Sequence, residues 1–292
     1  GRKDQGHIPS SEQQLKVRSS TGTVHTALAS TDTSNTVDWV DAGYVTPVKN
    51  QGQCGSCWAH SAVEQIESEF MLLGYSMWEF SVAQVNSCVK NCLGCGGGDT
   101  TSAYEYLEGE IGLGSSAWAP YIQSMTKTCL GRYCTEKCDD IDVEELSTQY
   151  SYTGYYAQVN SYEYATTPCY DNCDHQNMTA LANNIKTYGP ASICLNAGEW
   201  SDYTGGVLTV DGCGGYSYDD LDHCVQLTGY GVDEDGNKYW NVRNSWSTDW
   251  GINGYIRLEM SDTANTCGLA NEATQVNIEL PSPESRRVKK QQ

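Results

Sequence analysis

The hydrophobic pattern of the chain changes near residue 150, and this change limits the folds that it can adopt. Residues 56–150 favour helices, as Val63, Ile66 and Phe70 recur at the spacing of one helix face. From about residue 150 onward, short apolar runs bounded by turn residues predict strands instead. A helical part followed by a strand-rich part is typical of an α+β protein with a cleft between two lobes.

Five strands and one helix are predicted in the second part of the chain. The strands cover 150–159, 191–196, 223–231, 238–244 and 254–259. The helix covers 178–188 and ends at Gly189-Pro190, a pair that cannot continue a helix. Residues 233–237 (DEDGN) are predicted to form a hairpin turn between two of the strands.

The charge of the chain limits its partners. Its 17 basic and 37 acidic residues give a formal net charge of −20. Such a surface argues against nucleic acid, whose phosphates require a basic face. No run approaches the roughly 18 apolar residues that span a bilayer, and no signal peptide opens the chain, so we expect no membrane partner. The acidity fits either simple solubility or an acidic compartment, where carboxylates approach neutrality.

Fourteen cysteines cluster along the chain. Residues 88–95 and 129–138 hold three cysteines each, which indicates a disulfide framework in a secreted or vacuolar protein. Zinc is the alternative, because cysteine pairs at such spacing can also bind a metal. Disulfides are favoured here, and we expect no metal and no cofactor.

The run Gln51-Gly52-Gln53-Cys54-Gly55-Ser56-Cys57-Trp58 is the most specific motif in the chain. C-G-[SA]-C-[WY] is the local signature around the nucleophile of papain and the cathepsins. Over roughly residues 37–280 the chain resembles the papain family of cysteine proteases. The resemblance implies a helical left lobe, a β-barrel-like right lobe and an active-site cleft between them, with Cys57 as the nucleophile.

A cysteine nucleophile reacts as the thiolate, so its pKa must be lowered. A helix N-terminus and an adjacent imidazolium both have this effect, and the helical pattern after Cys57 places it in a first turn. The imidazole must come from one of five histidines. His7 and His25 lie in the polar tail, where we expect them to be solvated, and His175 is expected in a surface loop.

His60 and His223 are the other two histidines. His60 lies about one helical turn after Cys57, where many relatives have an aromatic residue. It is either a packed structural residue or one with a role in binding or in a pH response. His223 opens the run HCVQLTGYG, which matches the histidine motif of the family. The resemblance therefore implies that His223 supplies the catalytic imidazole.

The remaining catalytic residues are implied by the same resemblance. Asn244, in VRNSWSTDWG, matches the asparagine motif of the family and would accept a hydrogen bond that fixes the imidazole tautomer. Trp246 would shield that bond from water. Gln51 and the backbone N–H of Cys57 would bind the oxyanion of the tetrahedral intermediate.

Substrate contacts are implied as well. Gly97 and Gly98 match the glycine-rich substrate strand, where the missing Cβ atoms let an extended peptide pair with the chain. The pocket for the second residue before the scissile bond, the P2 residue, would be lined by Asp99, Thr100, Cys194, Cys224 and Glu272. Asp222 and Trp246 complete the expected contacts.

Two features distinguish the P2 pocket of this chain. Relatives with an acid at the position of Glu272 accept arginine as well as bulky apolar side chains at P2, and Asp99 adds a second carboxylate at the rim. Cys194 and Cys224 fall on neighbouring strands where the family has small apolar residues. They form either a disulfide in the pocket wall or two buried thiols.

The resemblance also implies disulfides Cys54–Cys95, Cys213–Cys267, and Cys88 with one cysteine of 129–138. Cys169 and Cys173 close a small loop or pair with Cys134 or Cys138. Once Cys57 is set apart, an odd number of cysteines remains, so at least one more keeps its thiol or bonds to another molecule.

The spacing departs from the family pattern. His223 follows Cys57 by 166 residues, against roughly 130–150 in papain-type proteases. The surplus is predicted between Cys129 and Cys173, on loops. It contains no His–His pair of the kind that makes some relatives carboxypeptidases, so an endopeptidase is expected.

These observations predict a cysteine endopeptidase acting on peptides or proteins, as a monomer, in a lysosome or vacuole or outside the cell. A proteinaceous inhibitor is a further expected partner. A peptide ligase on the same triad, a catalytically silent papain-fold binding protein and a thiol–disulfide oxidoreductase using Cys54 and Cys57 are the alternatives.

Four segments are expected. Residues 1–36 form an irregular N-terminal tail, a propeptide remnant; 37–145 form a mainly helical lobe with the nucleophile. Residues 146–280 form a strand-rich lobe with the histidine and asparagine, and 281–292 form a basic C-terminal tail.

Overall fold

The computed structural model describes residues 5–8, 36–108, 112–123, 126–130, 133–135, 137–141, 156–261 and 263–279. His25 and the predicted basic tail 281–292 lie outside these residues. Within them the fold is the predicted α+β fold.

The α-helices of the described residues are α1 (Cys57–Leu72), α2 (Val82–Cys88), α3 (Thr100–Leu107) and α4 (Met178–Tyr188). Helix α1 is buried along most of its length, including the predicted apolar face of Val63, Ile66 and Phe70. Helix α4 has the predicted bounds. The Asn177 side chain caps its start, and Gly189 ends it with φ at 104°, a conformation that favours glycine.

The strands are β1 (Val37–Asp38), β2 (Thr128–Leu130), β3 (Tyr133–Thr135), β4 (Gln158–Tyr164), β5 (Ala191–Leu195), β6 (Val207–Leu208), β7 (His223–Val232), β8 (Lys238–Arg243), β9 (Tyr255–Glu259) and β10 (Glu272–Glu279). Strands β2 and β3 pair with each other. The other eight form one mixed sheet in the order β4-β10-β5-β7-β8-β9-β6, with β1 beside β7. Strand β7 therefore lies inside the sheet, next to both β5 and β8.

Four predicted strands are confirmed within one residue at each end, as β5, β7, β8 and β9. Residues 150–155 of the strand predicted at 150–159 lie outside the described residues; β4 begins at Gln158 and continues to Tyr164 by pairing with β10. The hairpin at 233–237 is confirmed: the N–H of Asp233 donates to the carbonyl of Asn237 at 2.9 Å.

Helix α1 packs against the sheet through buried polar contacts as well as apolar ones. The amide of Gln226 on β7 donates to Ser68 Oγ at 2.9 Å. Arg243 on β8 and Glu64 on α1, both buried, pair at 3.5 Å. Because an isolated buried charge is costly, this pair disfavours movement of α1 on the sheet, and Cys57 at the start of α1 is held with it.

Five disulfides join described residues: Cys54–Cys95, Cys88–Cys138, Cys169–Cys173, Cys194–Cys224 and Cys213–Cys267. They confirm the pairings implied by the resemblance, and they show that Cys194 and Cys224 form a disulfide and that Cys169 pairs with Cys173. Cys57 and Cys92 keep their thiols. Because Cys54 is bonded to Cys95, it does not form a dithiol with Cys57, which argues against the oxidoreductase alternative.

None of the described helices combines the length and the apolar character that a membrane span needs.

Candidate active site

Cys57 is the first residue of α1, as predicted. Its sulphur is fully buried, against the backbones of Gly6 and Cys224. Burial raises the pKa of Cys57 to about 12. The sequence predicts a lowered pKa, whereas desolvation of the sulphur outweighs the backbone hydrogen bonds of Cys224 and Gly6, which lower the pKa.

His223 and Asn244 meet at the ends of two neighbouring strands. His223 begins β7, Asn244 follows β8, and His223 Nε2 lies 2.8 Å from Asn244 Oδ1. An amide oxygen only accepts, so Nε2 carries the proton and Nδ1 is the basic nitrogen. Asn244 Oδ1 also accepts from the N–H of Ser245 at 2.8 Å, which fixes the amide orientation.

The position of Cys57 relative to this pair follows from its neighbours. Its sulphur contacts the backbone of Cys224 and is influenced by the charge of Asp222, the two residues that flank His223 in the chain. The structure thus brings Cys57, His223 and Asn244 together at the junction of α1 and β7.

Two tryptophans pack around the imidazole. The ring of Trp246 lies 4.9 Å from that of His223, centroid to centroid. Trp200 meets the same imidazole edge-on at 6.0 Å and contacts Trp246 at 6.4 Å. Trp246 was predicted from its motif, whereas Trp200 was not, because it lies in a short 3-10 helix, Trp200–Asp202, outside any motif. Both rings exclude water from the His223–Asn244 hydrogen bond.

Gln51 is buried beside the start of α1. Its Nε2 donates to the carbonyl of Cys54 at 2.8 Å, and its Oε1 accepts from Ser245 Oγ at 2.6 Å. The hydroxyl of Tyr121 donates to the Gln51 carbonyl at 3.0 Å and lies 2.7 Å from Ser56 Oγ. Tyr121 therefore joins Gln51 to the residue before the nucleophile, a link that sequence analysis missed.

Residues 5–8 lie along the glycine strand, where an extended peptide was expected to pair. The N–H of Ile8 donates to the Gly98 carbonyl at 2.9 Å, and the N–H of Gly98 donates to the Gly6 carbonyl at 2.9 Å. A Cβ on Gly97 would lie 2.8 Å from the carbonyl oxygen of Gly6. Gly97 thus permits the close approach for which the sequence predicted it.

The position of His7 contradicts the prediction that it is solvated. Its side chain is fully buried, with Nε2 3.9 Å from Glu272 Oε2 and Nδ1 3.2 Å from Cys224 Sγ. Burial lowers the pKa of His7 to about 4, although the charge of Asp99 acts in the opposite direction. The polar composition of a segment predicts only the average exposure of its residues. It does not predict that one side chain enters a pocket formed by distant residues.

Three predicted P2-pocket residues form one row across the sheet. Glu272 on β10 is opposite Cys194 on β5, and Cys194 is opposite Cys224 on β7. Residues opposite each other in a sheet point to the same face, so the Glu272 carboxylate lies beside the disulfide. All three are buried, and Glu272 is only 2% exposed.

Asp99 is more buried than the rim position predicted for it, and its charge still acts on the His7 imidazole. Asp99 is the N-cap of α3, buried, and its carboxylate accepts from the N–H of Thr101 at 3.1 Å. An aspartate before a helix favours this position because it satisfies a backbone donor of the first turn. Thr100, the next residue, is buried with it.

Two buried tyrosines near Glu272 were missed by sequence analysis. Tyr104 on α3 and Tyr164 at the end of β4 are both almost fully buried. Burial raises the pKa of Tyr164, and the nearby charge of Glu272 adds to this effect. Tyrosines are scattered along the chain, so no spacing marks those that surround the pocket.

His7, Cys194 and Cys224 are the one group of three potential metal ligands in the described residues. Two of the three are joined in a disulfide, and a disulfide supplies no thiolate ligand. This donor set therefore does not fit a metal.

Comparison with known proteins identifies the family. The sequence model of the papain family cysteine proteases matches residues 33–277. Cathepsin K of Gallus gallus is 34% identical over 240 residues, covering 82% of this chain and 62% of the relative. Procathepsin L of Rattus norvegicus is 34% identical over 246 residues, covering 82% of this chain and 64% of the relative. The chain belongs to the papain family of cysteine proteases, and the matches span a little under two thirds of the length of these relatives.

Two solved structures share the fold. Bromelain protease from Ananas comosus, in complex with the E64 inhibitor, has a TM-score of 0.64 and 30% identity, covering 84% of this chain and 99% of that one. Digestive procathepsin L2 from Tenebrio molitor larval midgut has a TM-score of 0.71 and 28% identity, covering 94% of this chain and 78% of that one. The similarity supports the two-lobed α+β fold that the sequence predicted.

Proposed function

We propose that the chain is a cysteine endopeptidase that hydrolyses peptide bonds through a thioester acyl-enzyme. The observation that carries the proposal is the 2.8 Å hydrogen bond from His223 Nε2 to Asn244 Oδ1, beside the helix start that holds Cys57. This bond leaves Nδ1 as the base that activates a thiol. The lobes at 37–145 and 146–280 supply the nucleophile and the imidazole respectively.

The reaction begins when residues 5–8 leave the cleft and a substrate enters. The Cys57 thiol transfers its proton to His223 Nδ1, and the sulphur attacks the peptide carbonyl carbon. The oxyanion is bound by the Gln51 amide and the N–H of Cys57. The C–N bond then breaks as His223 protonates the leaving amine, and the acyl group remains on sulphur as a thioester. Water, deprotonated by His223, releases the acid and restores the thiol.

The test uses an internally quenched peptide with the wild-type chain, Cys57→Ser and Asn244→Ala. Cleavage by the wild type and at least a hundredfold loss in Cys57→Ser are expected, with a smaller loss in Asn244→Ala. Absence of cleavage under all activating conditions would support the silent binding protein instead. Adding an amine nucleophile separates hydrolysis from ligation, since a ligase would give mostly the amide product.

The P2 pocket is proposed to accept basic as well as apolar side chains. The buried carboxylate of Glu272 supports this specificity, because a cationic side chain would neutralise it. Apolar surface for a bulky side chain is offered by the Cys194–Cys224 disulfide and by Tyr104 and Tyr164.

Residues 5–8 are proposed to be part of a self-inhibiting propeptide remnant. The support is their backbone pairing with Gly98, the burial of His7 beside Glu272 and the contact of the Gly6 backbone with the buried Cys57 sulphur. Family membership and the acidic charge support further proposals. These are a lysosomal, vacuolar or extracellular location, protein or peptide substrates, a proteinaceous inhibitor and a monomeric state.

A further inference from the structure

A cavity of about 370 Å³ lies outside the substrate cleft. Its walls include Pro47, Lys49, His60, Phe80, Pro120 and Tyr121. The mechanism above uses neither this cavity nor His60. His60 is nevertheless 1% exposed and lies on α1 one turn after the nucleophile, so a buried imidazole faces a cavity without an assigned purpose.

The hydrogen bonds of His60 fix its tautomer. Its Nδ1 lies 2.9 Å from the carbonyl oxygen of Ser56, and a carbonyl oxygen only accepts, so Nδ1 carries the proton. The other nitrogen, Nε2, presents a lone pair. The hydrogen bonds of the His60 ring to described residues are made by Nδ1, and the ring lines the cavity. Burial lowers the pKa of His60 to about 3, so this lone pair persists at acidic as well as neutral pH.

The charges at the cavity select against anions. Lys49 Nζ already pairs with Glu67 at 3.1 Å and with Glu79 at 3.8 Å, so two carboxylates face one ammonium. A metal ion is also disfavoured, because the three-ligand group found among the described residues lies elsewhere and does not include His60. The cavity therefore offers a ligand one hydrogen-bond acceptor, His60 Nε2, in surroundings that are neutral to negative.

The other walls favour a flat ring. Pro47, Phe80 and Pro120 supply apolar surface, and the ring of Tyr121 meets His60 edge-on with centroids 4.7 Å apart. Planar aromatic groups pack well on such surfaces. We propose that this cavity is a binding site for a planar aromatic molecule, neutral or cationic, whose N–H or O–H donates to His60 Nε2. The site does not depend on the proposed peptidase activity.

Indole and benzothiophene form a matched pair of probes, since they have similar shape and only indole has an N–H. Each is titrated into the full chain labelled with ¹⁵N in its histidine rings, and the Nε2 resonance of His60 is followed by NMR. We expect indole to shift this resonance toward the value of a hydrogen-bonded acceptor, saturating at one molecule per chain. Benzothiophene is expected to bind about tenfold more weakly, as befits one lost hydrogen bond.

His60→Phe keeps a ring in place but removes the acceptor, and it is expected to weaken indole about tenfold. His175→Phe, at an exposed site, is the control and should change nothing. Equal affinities of the two probes, or a shift at a histidine other than His60, would overturn the proposal. The probe comparison uses the wild-type chain, so it decides the matter even if His60→Phe does not fold.

Discussion

His7 Nε2 lies 3.9 Å from Glu272 Oε2, so the chain places a side chain that can become cationic in the proposed P2 pocket. The groups facing the imidazole are the Glu272 carboxylate, the Asp99 carboxylate and the Cys194–Cys224 disulfide. The pKa of His7 falls from 6.5 to about 4, because burial outweighs the attraction of the Asp99 charge. The pocket therefore holds neutral His7 more tightly than protonated His7.

This pKa shift predicts that acid releases residues 5–8. Above pH 6.5 His7 is neutral both in the pocket and after release, so its contribution to retention is complete. Between pH 6.5 and about 4 only the released form gains a proton, so retention weakens as the pH falls, on the order of a hundredfold over the window. The measurement is the rate at which an epoxide probe labels Cys57 in the wild type and in His7→Leu.

The ratio of the two rates removes the intrinsic pH dependence of the thiol. Leucine has no titratable group, so the wild-type rate is expected to rise relative to that of His7→Leu as the pH falls. A ratio that stays constant from pH 7 to pH 4 would show that His7 is not the acid-sensitive contact.

Gly6 is predicted to be the residue on which coverage of the nucleophile depends. A Cβ at this position would lie 1.9 Å from the backbone oxygen of Gly55, so Gly6→Val cannot keep the present contact. We expect the epoxide probe to label Cys57 of Gly6→Val at least tenfold faster than Cys57 of the wild type at pH 7.5. Gln5→Ala, in the same segment, is the control and should label at the wild-type rate. Equal rates for Gly6→Val and the wild type would contradict self-coverage.

Glu272 is predicted to set the preference for a basic P2 residue. Its buried carboxylate should attract an arginine and contribute little to a leucine, so Glu272→Ala should lower kcat/KM for an Arg substrate at least tenfold and for a Leu substrate less than threefold. Glu279→Ala changes an exposed carboxylate on the same strand and serves as the control. An unchanged Arg/Leu ratio would refute this role. If Glu272→Ala acted only by loosening residues 5–8, kcat/KM would change by the same factor for the Arg and the Leu substrate.

Tyr121 is predicted to be a positioning residue. Its hydroxyl contacts the Gln51 carbonyl at 3.0 Å and Ser56 Oγ at 2.7 Å, so Tyr121→Phe loosens the oxyanion donors without touching the substrate. We expect kcat to fall about tenfold with little change in KM. Tyr75→Phe, at an exposed tyrosine, should have no effect. A rise in KM at constant kcat would indicate a role in substrate binding instead.

The sequence was sufficient where local chemistry determines the structure. The start of α1 at Cys57, the turn at 233–237 and the strands that begin at His223 and Lys238 each follow from a short run of residues. That Glu272, Cys194 and Cys224 lie together was also foreseeable, because the family resemblance assigned all three to one pocket, although no strand was predicted at Glu272–Glu279.

Long-range contacts could not be predicted in this way. His7 reaches Glu272 and Cys224 from a polar tail without periodicity, and its burial depends on the close approach of Gly6 to Gly55. The burial of Asp99 was not foreseen, because its carboxylate caps α3 as well as acting on His7. Trp200 and Tyr121 act through tertiary packing that no local pattern records.

Mapping the adduct of an epoxide probe by mass spectrometry, across pH 4–8, tests the central proposal most directly. If Cys57 is the nucleophile activated by His223, the probe will modify Cys57 alone, faster in acid as residues 5–8 leave, and Asn244→Ala will slow the reaction. Modification of Cys92 or another cysteine in place of Cys57, or an equal rate in Cys57→Ser, would contradict it.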